Sequence, residues 1–226
     1  MMLPPPRQVA VSEHMHYSTA GLARDGDSQM FVVVPRSDRL RCAVEDAIRK
    51  LYWKRYGAFL SSFAQTIVAE LSQSGSVECA AGIRFGNEAF FSECYLDLAV
   101  EQLLQDCLGR TVRRDKIVEV SHLAAPGYGR SLPFVQNLIE SLRTGDAEWA
   151  IFTATRPLRS LLRRNRLSMI ELGCADRNRV PNPESWGQYF KHDPRIMAVS
   201  HRTAFEPKRF YYTSASPQPL ADARIF

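Results

Sequence analysis

The chain has 226 residues, 45% of them hydrophobic and 23% charged, and 29 Lys and Arg against 24 Asp and Glu leave a formal charge of +5. This is ordinary globular composition, long enough for one sizeable core or two small ones. No apolar run approaches the roughly 20 residues that span a bilayer, and the opening MMLPPPRQVAVSEHMH lacks the apolar run of a secretory signal. Cys42, Cys79, Cys94, Cys107 and Cys174 are odd in number, far apart and without a CxxC pair. That argues against a disulfide framework or a zinc site and for reduced thiols in a cytoplasmic protein.

Residues 1–28 are rich in Pro, Gly, Ser, Asp and His and lack periodicity, which predicts a disordered N-terminal arm before one domain over 29–226. His14 and His16 form an HxH pair there, and solvated side chains are the plain reading. MFVVVP at 30–35 predicts the first core strand. Asp38 is placed to cap a helix over 39–55, with Ala43, Ala47, Ile48, Leu51 and Tyr52 inside and Arg41, Glu45, Asp46, Arg49 and Lys50 outside. Tyr52, Trp53 and Tyr56 follow closely. Such a cluster either walls a substrate pocket or packs in the core.

FAQTIVAEL at 63–71 and VECAAGIRF at 77–85 predict two strands joined by a turn at SQSGS. The second is so rich in small residues that something must pack closely on it. Residues 90–96, FFSECYL, form a further apolar segment carrying Glu93. A short helix over 98–108 buries Val100, Leu103, Leu104 and Cys107 and ends at Gly109.

The chain is organised around 116–131, KIVEVSHLAAPGYGRS. Ile117, Val118, Val120 and Leu123 make a buried strand, which Pro126, Gly127 and Gly129 break. From Leu132 onward, Val135, Leu138, Ile139 and Leu142 recur at helical spacing, with Gly145 as a C-cap. A strand, a glycine loop and a helix N-terminus make a phosphate-binding device, because free N–H groups and the positive end of the dipole converge on one point. EWAIFTAT at 148–155 is then a clear strand, 158–165 a helix led by Pro157, LSMIELGCA at 167–175 a strand, 177–189 a polar loop holding WGQYF, and 196–204 a last strand. The order of elements gives an α/β (α+β) layout with a mixed, largely antiparallel central sheet flanked by helices.

That layout resembles the Gcn5-related N-acetyltransferase (GNAT) fold. The segments AAGIRFGNEAFFSECYLD, KIVEVSHLAAPGYGRS, EWAIFTATRPLRSLLRRNRL, GCADRNRV and WGQYF resemble the thermostable hemolysin family, which is related to GNAT enzymes and to acyl-homoserine-lactone synthases. The resemblance implies binding of acyl-CoA, or of a phosphopantetheine-linked acyl group, by the fourth strand, the loop and the following helix. Leu123, Ala124, Gly127, Gly129, Arg130 and Ser131 are then the donor-binding positions. Two departures stand out: Ala124 lies where such loops often have Gln or Arg, and Ser121-His122 replaces the family's usual Gly-Asn.

Acyl transfer from a thioester to an amine needs a base or ordered water and donors for the oxyanion, but no covalent nucleophile. Glu119, an acid inside an apolar strand, is the first candidate base; its bland reading is an ion pair with an arginine such as Arg84. Strand alternation puts Glu119 and Ser121 on one face and His122 on the other. GNAT fourth strands often bulge, so His122 stays a candidate. Glu93 is a further candidate base, expected to share a face with Tyr95. Arg84, Tyr95, Ser121 and Trp53 are candidates to contact the substrate. Cys94 and Cys174 read as inert core thiols, and His192 and His201 have no ligand spacing.

The expected acceptor is a small amine such as an amino acid derivative. Arg156, Arg159 and Arg163 form a stripe at i, i+3 and i+7 with no acid in their own helix, which suits an acidic acyl carrier protein; a solvated helix face is the bland alternative. Nothing suggests a metal, nucleic acid or stable membrane insertion, and a homodimer is left open. The rival functions are a membrane-active hemolysin, poorly served by a chain without a lytic amphipathic helix, and a non-catalytic ligand-binding relative.

Overall fold

The computed structural model describes residues 30–144 and 146–200. The N-terminal arm with His14 and His16, the Gly145 cap, His201 and the far end of the last predicted strand lie outside the described residues. Within them the chain runs β1 (Met30–Val34), α1 (Arg41–Tyr56), β2 (Thr66–Leu71), β3 (Val77–Phe85), α2 (Val100–Leu108), β4 (Ile117–Ala124), α3 (Tyr128–Thr144), β5 (Trp149–Ala154), α4 (Arg156–Arg164), β6 (Ile170–Cys174) and β7 (Arg195–Ser200). The strands form one sheet in the order β1-β2-β3-β4-β5-β7-β6. Every neighbouring pair is antiparallel except β4 and β5, which α3 joins by a crossover. This is the mixed, largely antiparallel sheet with flanking helices that the element order predicts.

Alternation along the strands sorts the core onto two faces. Val118 and Val120 of β4 pack with Val68, Ile83 and Ala150 against Phe134 and Leu138 of α3. Ile117 and Ile151 face the other way, toward Leu103 and Leu104 of α2. Ile67, Ala69 and Ala80 on that same face meet Val44, Ile48 and Tyr52 of α1.

Three local features differ from expectation. In α1, Arg41 is buried and Ala43 exposed, because the Arg41 guanidinium hydrogen-bonds the carbonyls of Val34, Ala64 and Gln65 and the carboxylate of Glu45. A buried guanidinium is tolerated only with such full pairing. Asp38 does serve the start of α1, its Oδ1 accepting the Leu40 N–H at 2.7 Å. Second, the apolar segment after β3 is a 3-10 helix, Phe91–Tyr95, packed under the sheet. Third, α3 begins at Tyr128, a turn before Leu132, and carries Pro133 in its interior.

The small residues of β3 have a concrete reason. A Cβ built on Gly82 would lie 2.7 Å from Ser121 Oγ and 3.0 Å from the Ala64 Cβ. β3 is thus thinned to admit the Ser121 side chain from β4.

Candidate active site

β4 and β5 pair from Ile117↔Trp149 to Val120↔Phe152 and then stop pairing, although β4 continues to Ala124 and β5 to Ala154. On its other edge β4 pairs with β3 through Gly82↔Ser121 and Ala80↔Ala124. Two steps on β3 therefore match three on β4, and the extra residue falls at His122–Leu123. His122 has φ 51, in the left-handed region. This is a β-bulge, which bends a strand and re-aims its side chains. The parallel pair thus splays at its carboxyl ends, the usual place for a ligand crevice in a sheet with a crossover.

A cavity opens in the splay and is lined by residues from both faces of the sheet. On the α3 side it is mostly aliphatic, lined by Val135, Leu138 and Ile139 of α3, Leu158 and Leu162 of α4, and Val199, with the one ring of Phe152. On the α1 side it is aromatic, lined by Tyr52, Phe91, Tyr95, Trp186 and Tyr189. Glu119, Ser121, His122 and Thr153 supply its polar groups between these halves.

Glu119 is 1% exposed and fully engaged. Its Oε2 accepts from Arg84 Nη1 at 3.1 Å and the Phe91 N–H at 2.7 Å, and its Oε1 from the Ser92 N–H at 2.7 Å and Ser92 Oγ at 2.6 Å. Four donors on two oxygens occupy the directions in which a carboxylate would take a substrate proton. Arg84 gives this carboxylate one hydrogen bond through Nη1, and its guanidinium lies 6.0 Å from the Phe91 ring centroid.

His122 is in a different state. Its Nδ1 is buried without a hydrogen-bond partner among the described residues, and its ring sits 6.1 Å from Tyr52 and 5.4 Å from Phe63. Burial, helped by the positive charge of Arg84, pushes its pKa down to about 4, so the imidazole is neutral at pH 7. The Ser121 hydroxyl is also buried without a partner. The bulge overturns the simple alternation that set His122 opposite Ser121: both side chains line the cavity.

Beyond β4 the glycine loop leads into α3. The hydroxyl of Ser131 donates to the Gly127 carbonyl at 2.9 Å and steadies the first turn. Arg130 lies 3.5 Å from Glu78. Neither Gly127 nor Gly129 adopts positive φ, and a Cβ on either would meet nothing within 4 Å. Protein packing therefore gives no reason for glycine at these positions, whereas close approach of a ligand to the loop would. Leu123 lines the cavity and Ala124 is buried against the α1 side of the core.

The model of the family described as "Thermostable hemolysin" matches residues 34–205. The chain belongs to the thermostable hemolysin family. No curated protein matches it. Among solved structures it is similar to the AHL synthase LasI, at 12% identity and TM-score 0.54 over 77% of this chain and 91% of that one. It is also similar to apo TofI, at 10% identity and TM-score 0.53 over 76% and 90%. At such identities the likeness is one of fold, and it extends the GNAT-like description to this member of the thermostable hemolysin family.

Of the other expected site residues, Glu93 and Trp53 lie apart from the cavity. Glu93 binds Arg114 Nη1 and Nη2 at 2.7 and 2.9 Å and accepts the Val100 N–H, so it ties the 3-10 segment to α2. The Arg114 hydrogen bonds hold its carboxyl below the ordinary value of 4.5 and keep its oxygens engaged away from the cavity. It does not share the cavity face with Tyr95, because a 3-10 turn, and not a strand, separates them. Tyr95 does line the cavity, with its phenol pushed upward by burial. Trp53 is 54% exposed and packs on Phe59, and Tyr52, one residue earlier, takes the cavity position instead. Cys94 is held up at about 11 by burial, while Cys174 is exposed and not a core thiol.

The arginine stripe is also split. Arg159 is buried, donating to the Ala154 and Asp193 carbonyls and to Asp193 Oδ2. It fastens α4 to the turn before β7 and is no docking residue. Arg156 is exposed at 3.5 Å from Asp193, and Arg163 is exposed.

The sequence reading missed Trp186 and Tyr189. The signal was WGQYF itself. Gly187 has φ 52, and a Cβ there would collide with the Tyr56 carbonyl, so the loop clamps onto the end of α1. The bonds Gln188 N–H to Tyr56 O at 2.7 Å and Phe59 N–H to Ser185 O at 2.6 Å hold the clamp.

Proposed function

We propose that the protein is an N-acyltransferase, moving an acyl group from a thioester onto the amine of a small molecule. The observation that carries this reading is the cavity through the β4–β5 splay, aliphatic on one side, aromatic on the other, with His122 on the bulge between them. The aliphatic half adjoins α3, whose N-terminus bears the open glycine loop. The donor therefore lies on that side, its acyl chain among Val135, Leu138, Ile139 and Leu162 and its phosphate at Gly127–Ser131. The aromatic half takes the acceptor.

In the reaction the amine nitrogen forms a bond to the thioester carbonyl carbon, the C–S bond breaks, and the proton lost by nitrogen ends on the leaving thiolate. His122 Nδ1, neutral and unengaged, is our candidate to take that proton. The protonated amine of the tetrahedral intermediate is a stronger acid than a free ammonium, which narrows the gap to this weakly basic imidazole. Backbone N–H groups at the bulge, freed from regular ladder pairing, are candidates to steady the oxyanion. Glu119 holds the 3-10 segment against β4 and acts as a positioning residue.

Coenzyme A and an acyl carrier protein both present a phosphopantetheine thioester. The exposed Arg156, Arg163, Arg164 and Arg166 favour the carrier, an acidic partner, because they crown the helix that lines the aliphatic half. The test is to incubate the protein with acyl-CoA and carrier-bound donors and a panel of amines, and to measure amine-dependent thiol release and the mass of the product. Vesicle leakage is assayed beside it. Leakage without any amine-dependent thiol release would overturn the proposal in favour of a membrane-active protein.

A further inference from the structure

The acceptor half of the cavity has a chemistry that restricts what it can hold, and the argument rests on the acyltransferase reading only for calling that half the acceptor site. Its wall is an unbroken succession of rings. Tyr95 contacts Phe91 at 5.9 Å, Phe91 contacts Trp186 at 5.8 Å, Trp186 contacts Tyr189 at 5.3 Å, Tyr189 stacks on Tyr52 at 6.4 Å, and Tyr52 meets His122 edge-on. Among the described residues that line the cavity there is no Lys or Arg. Outside the lining, Arg84 is ion-paired through Nη1 with Glu119 and Arg159 with Asp193, so the charge of each is offset. Glu119, the one acid in the lining, is balanced by Arg84 from behind.

A substrate carboxylate brought into this half would lose its hydration without gaining a cation, and an uncompensated buried charge is strongly disfavoured. Aromatic faces, in contrast, attract cations and pack well on flat apolar groups. The unpartnered Ser121 hydroxyl offers a neutral hydrogen bond, which suits an uncharged carbonyl or hydroxyl.

We infer that the acceptor is an amine with an apolar or aromatic body and no free carboxylate: a simple amine, or an amino acid whose carboxyl is masked as an amide or ester. The aromatic wall selects it, and Trp186, set on the clamped WGQYF loop, is a specificity-determining residue. The amine arrives as an ammonium against the ring faces, gives that proton to bulk solvent and attacks as the neutral amine, and only the second proton, released from the tetrahedral intermediate, passes by way of His122 to the leaving thiolate.

Three matched probes separate the possibilities: L-phenylalanine, L-phenylalaninamide and phenethylamine. Each is titrated calorimetrically into the full chain and then tried as an acceptor with one saturating acyl-CoA. The amide and the amine are expected to bind at least about tenfold more tightly than the acid. Equal or tighter binding of the acid, or no binding of any probe, would overturn the inference. The expected order of binding without N-acyl product from any donor would leave the selectivity of the wall standing and bring down the acyltransferase reading instead. Trp186→Arg places a cation on the wall and is expected to improve binding of the acid relative to the amine, its fold checked by thermal unfolding. An unchanged order of binding in a folded Trp186→Arg variant would remove Trp186 from the specificity role. The wild-type comparison decides the main inference whether or not that variant folds.

Discussion

Ser92 gives both its backbone N–H and its hydroxyl to one carboxylate oxygen of Glu119, at 2.7 and 2.6 Å. With the Phe91 N–H and Arg84 on the other oxygen, the acid in the central strand becomes the fixing point of the 3-10 segment that carries Phe91 and Tyr95 into the cavity. Glu119→Gln turns one oxygen into an NH2 group facing donors and removes the charge that Arg84 needs. We expect a loss of about 3 kcal/mol of stability, which for a domain of this size lowers the melting temperature by roughly 6 to 12 °C. Thermal and urea unfolding check it. A variant as stable as the wild type, with turnover lost and donor binding intact, would return Glu119 to the role of base.

His122 supplies the pH prediction. Its pKa is about 4 when folded, against an ordinary 6.5, because burial disfavours the charged ring. Above 6.5 the ring is neutral in both states and exerts no pH effect. As pH falls from 6.5 toward 4 the unfolded chain binds a proton that the folded chain refuses, so stability is lost across that window, by about 3 kcal/mol at most. His122→Asn removes this part of the acid limb, and asparagine tolerates the positive φ of the bulge better than most residues. Urea midpoints of the two proteins at pH 7 and pH 4.5 give the difference. If the imidazole takes the amine proton, the same variant binds the donor normally and turns over about 10² to 10⁴ more slowly. Retained turnover would assign that proton to ordered water.

Much of this was legible in the sequence, and the misses have physical causes. The strand–loop–helix of 116–131 announced itself because its apolar pattern changes period at the glycines. The ion pair of Glu119 with Arg84 could be weighed because both lie in predicted neighbouring strands. The bulge was expected only from the family resemblance, because the residues themselves do not place it: it falls at His122–Leu123, where no glycine marks a positive φ. Tyr52 and Trp53 are adjacent aromatics on one helix, and which of them turns inward depends on how α1 meets the sheet. Arg159 looked unpaired because its acid, Asp193, is 34 residues away in a turn.

The glycine loop separates fold from function cleanly. A side chain at residue 129 would meet nothing within 4 Å, and valine is a better helix former than glycine, so Gly129→Val is expected to keep at least nearly the wild-type melting temperature. If the donor phosphate sits at this loop, the added bulk blocks it, and affinity for coenzyme A falls by at least about tenfold. Calorimetric titration of coenzyme A into both proteins checks it. Equal affinities would move the phosphate elsewhere on the chain.

The split arginine stripe makes the carrier proposal testable with an internal control. Arg159 is enclosed by the Ala154 and Asp193 carbonyls and the Asp193 carboxylate. Arg159→Glu sets two carboxylates against each other in a buried space and is expected to destabilise the fold by several kcal/mol, about 3 or more. Arg163 is exposed on the same helix and Arg166 in the turn just beyond its end, and their side chains have no partner among the described residues. Reversing both to Glu is expected to leave the melting temperature nearly unchanged, since isolated surface charges contribute little. A partner docking on this face would feel the reversal strongly, and more so at low salt, because exposed charges are screened over about 8 Å at physiological ionic strength. The measurement compares kcat/KM for one acyl chain presented on coenzyme A and on a carrier protein, at low and high salt. We expect the double reversal to depress the carrier-bound donor selectively, with the deficit shrinking as salt rises. Equal depression of both donors, independent of salt, would mean that α4 serves the bound thioester itself and that no carrier docks on its arginine face.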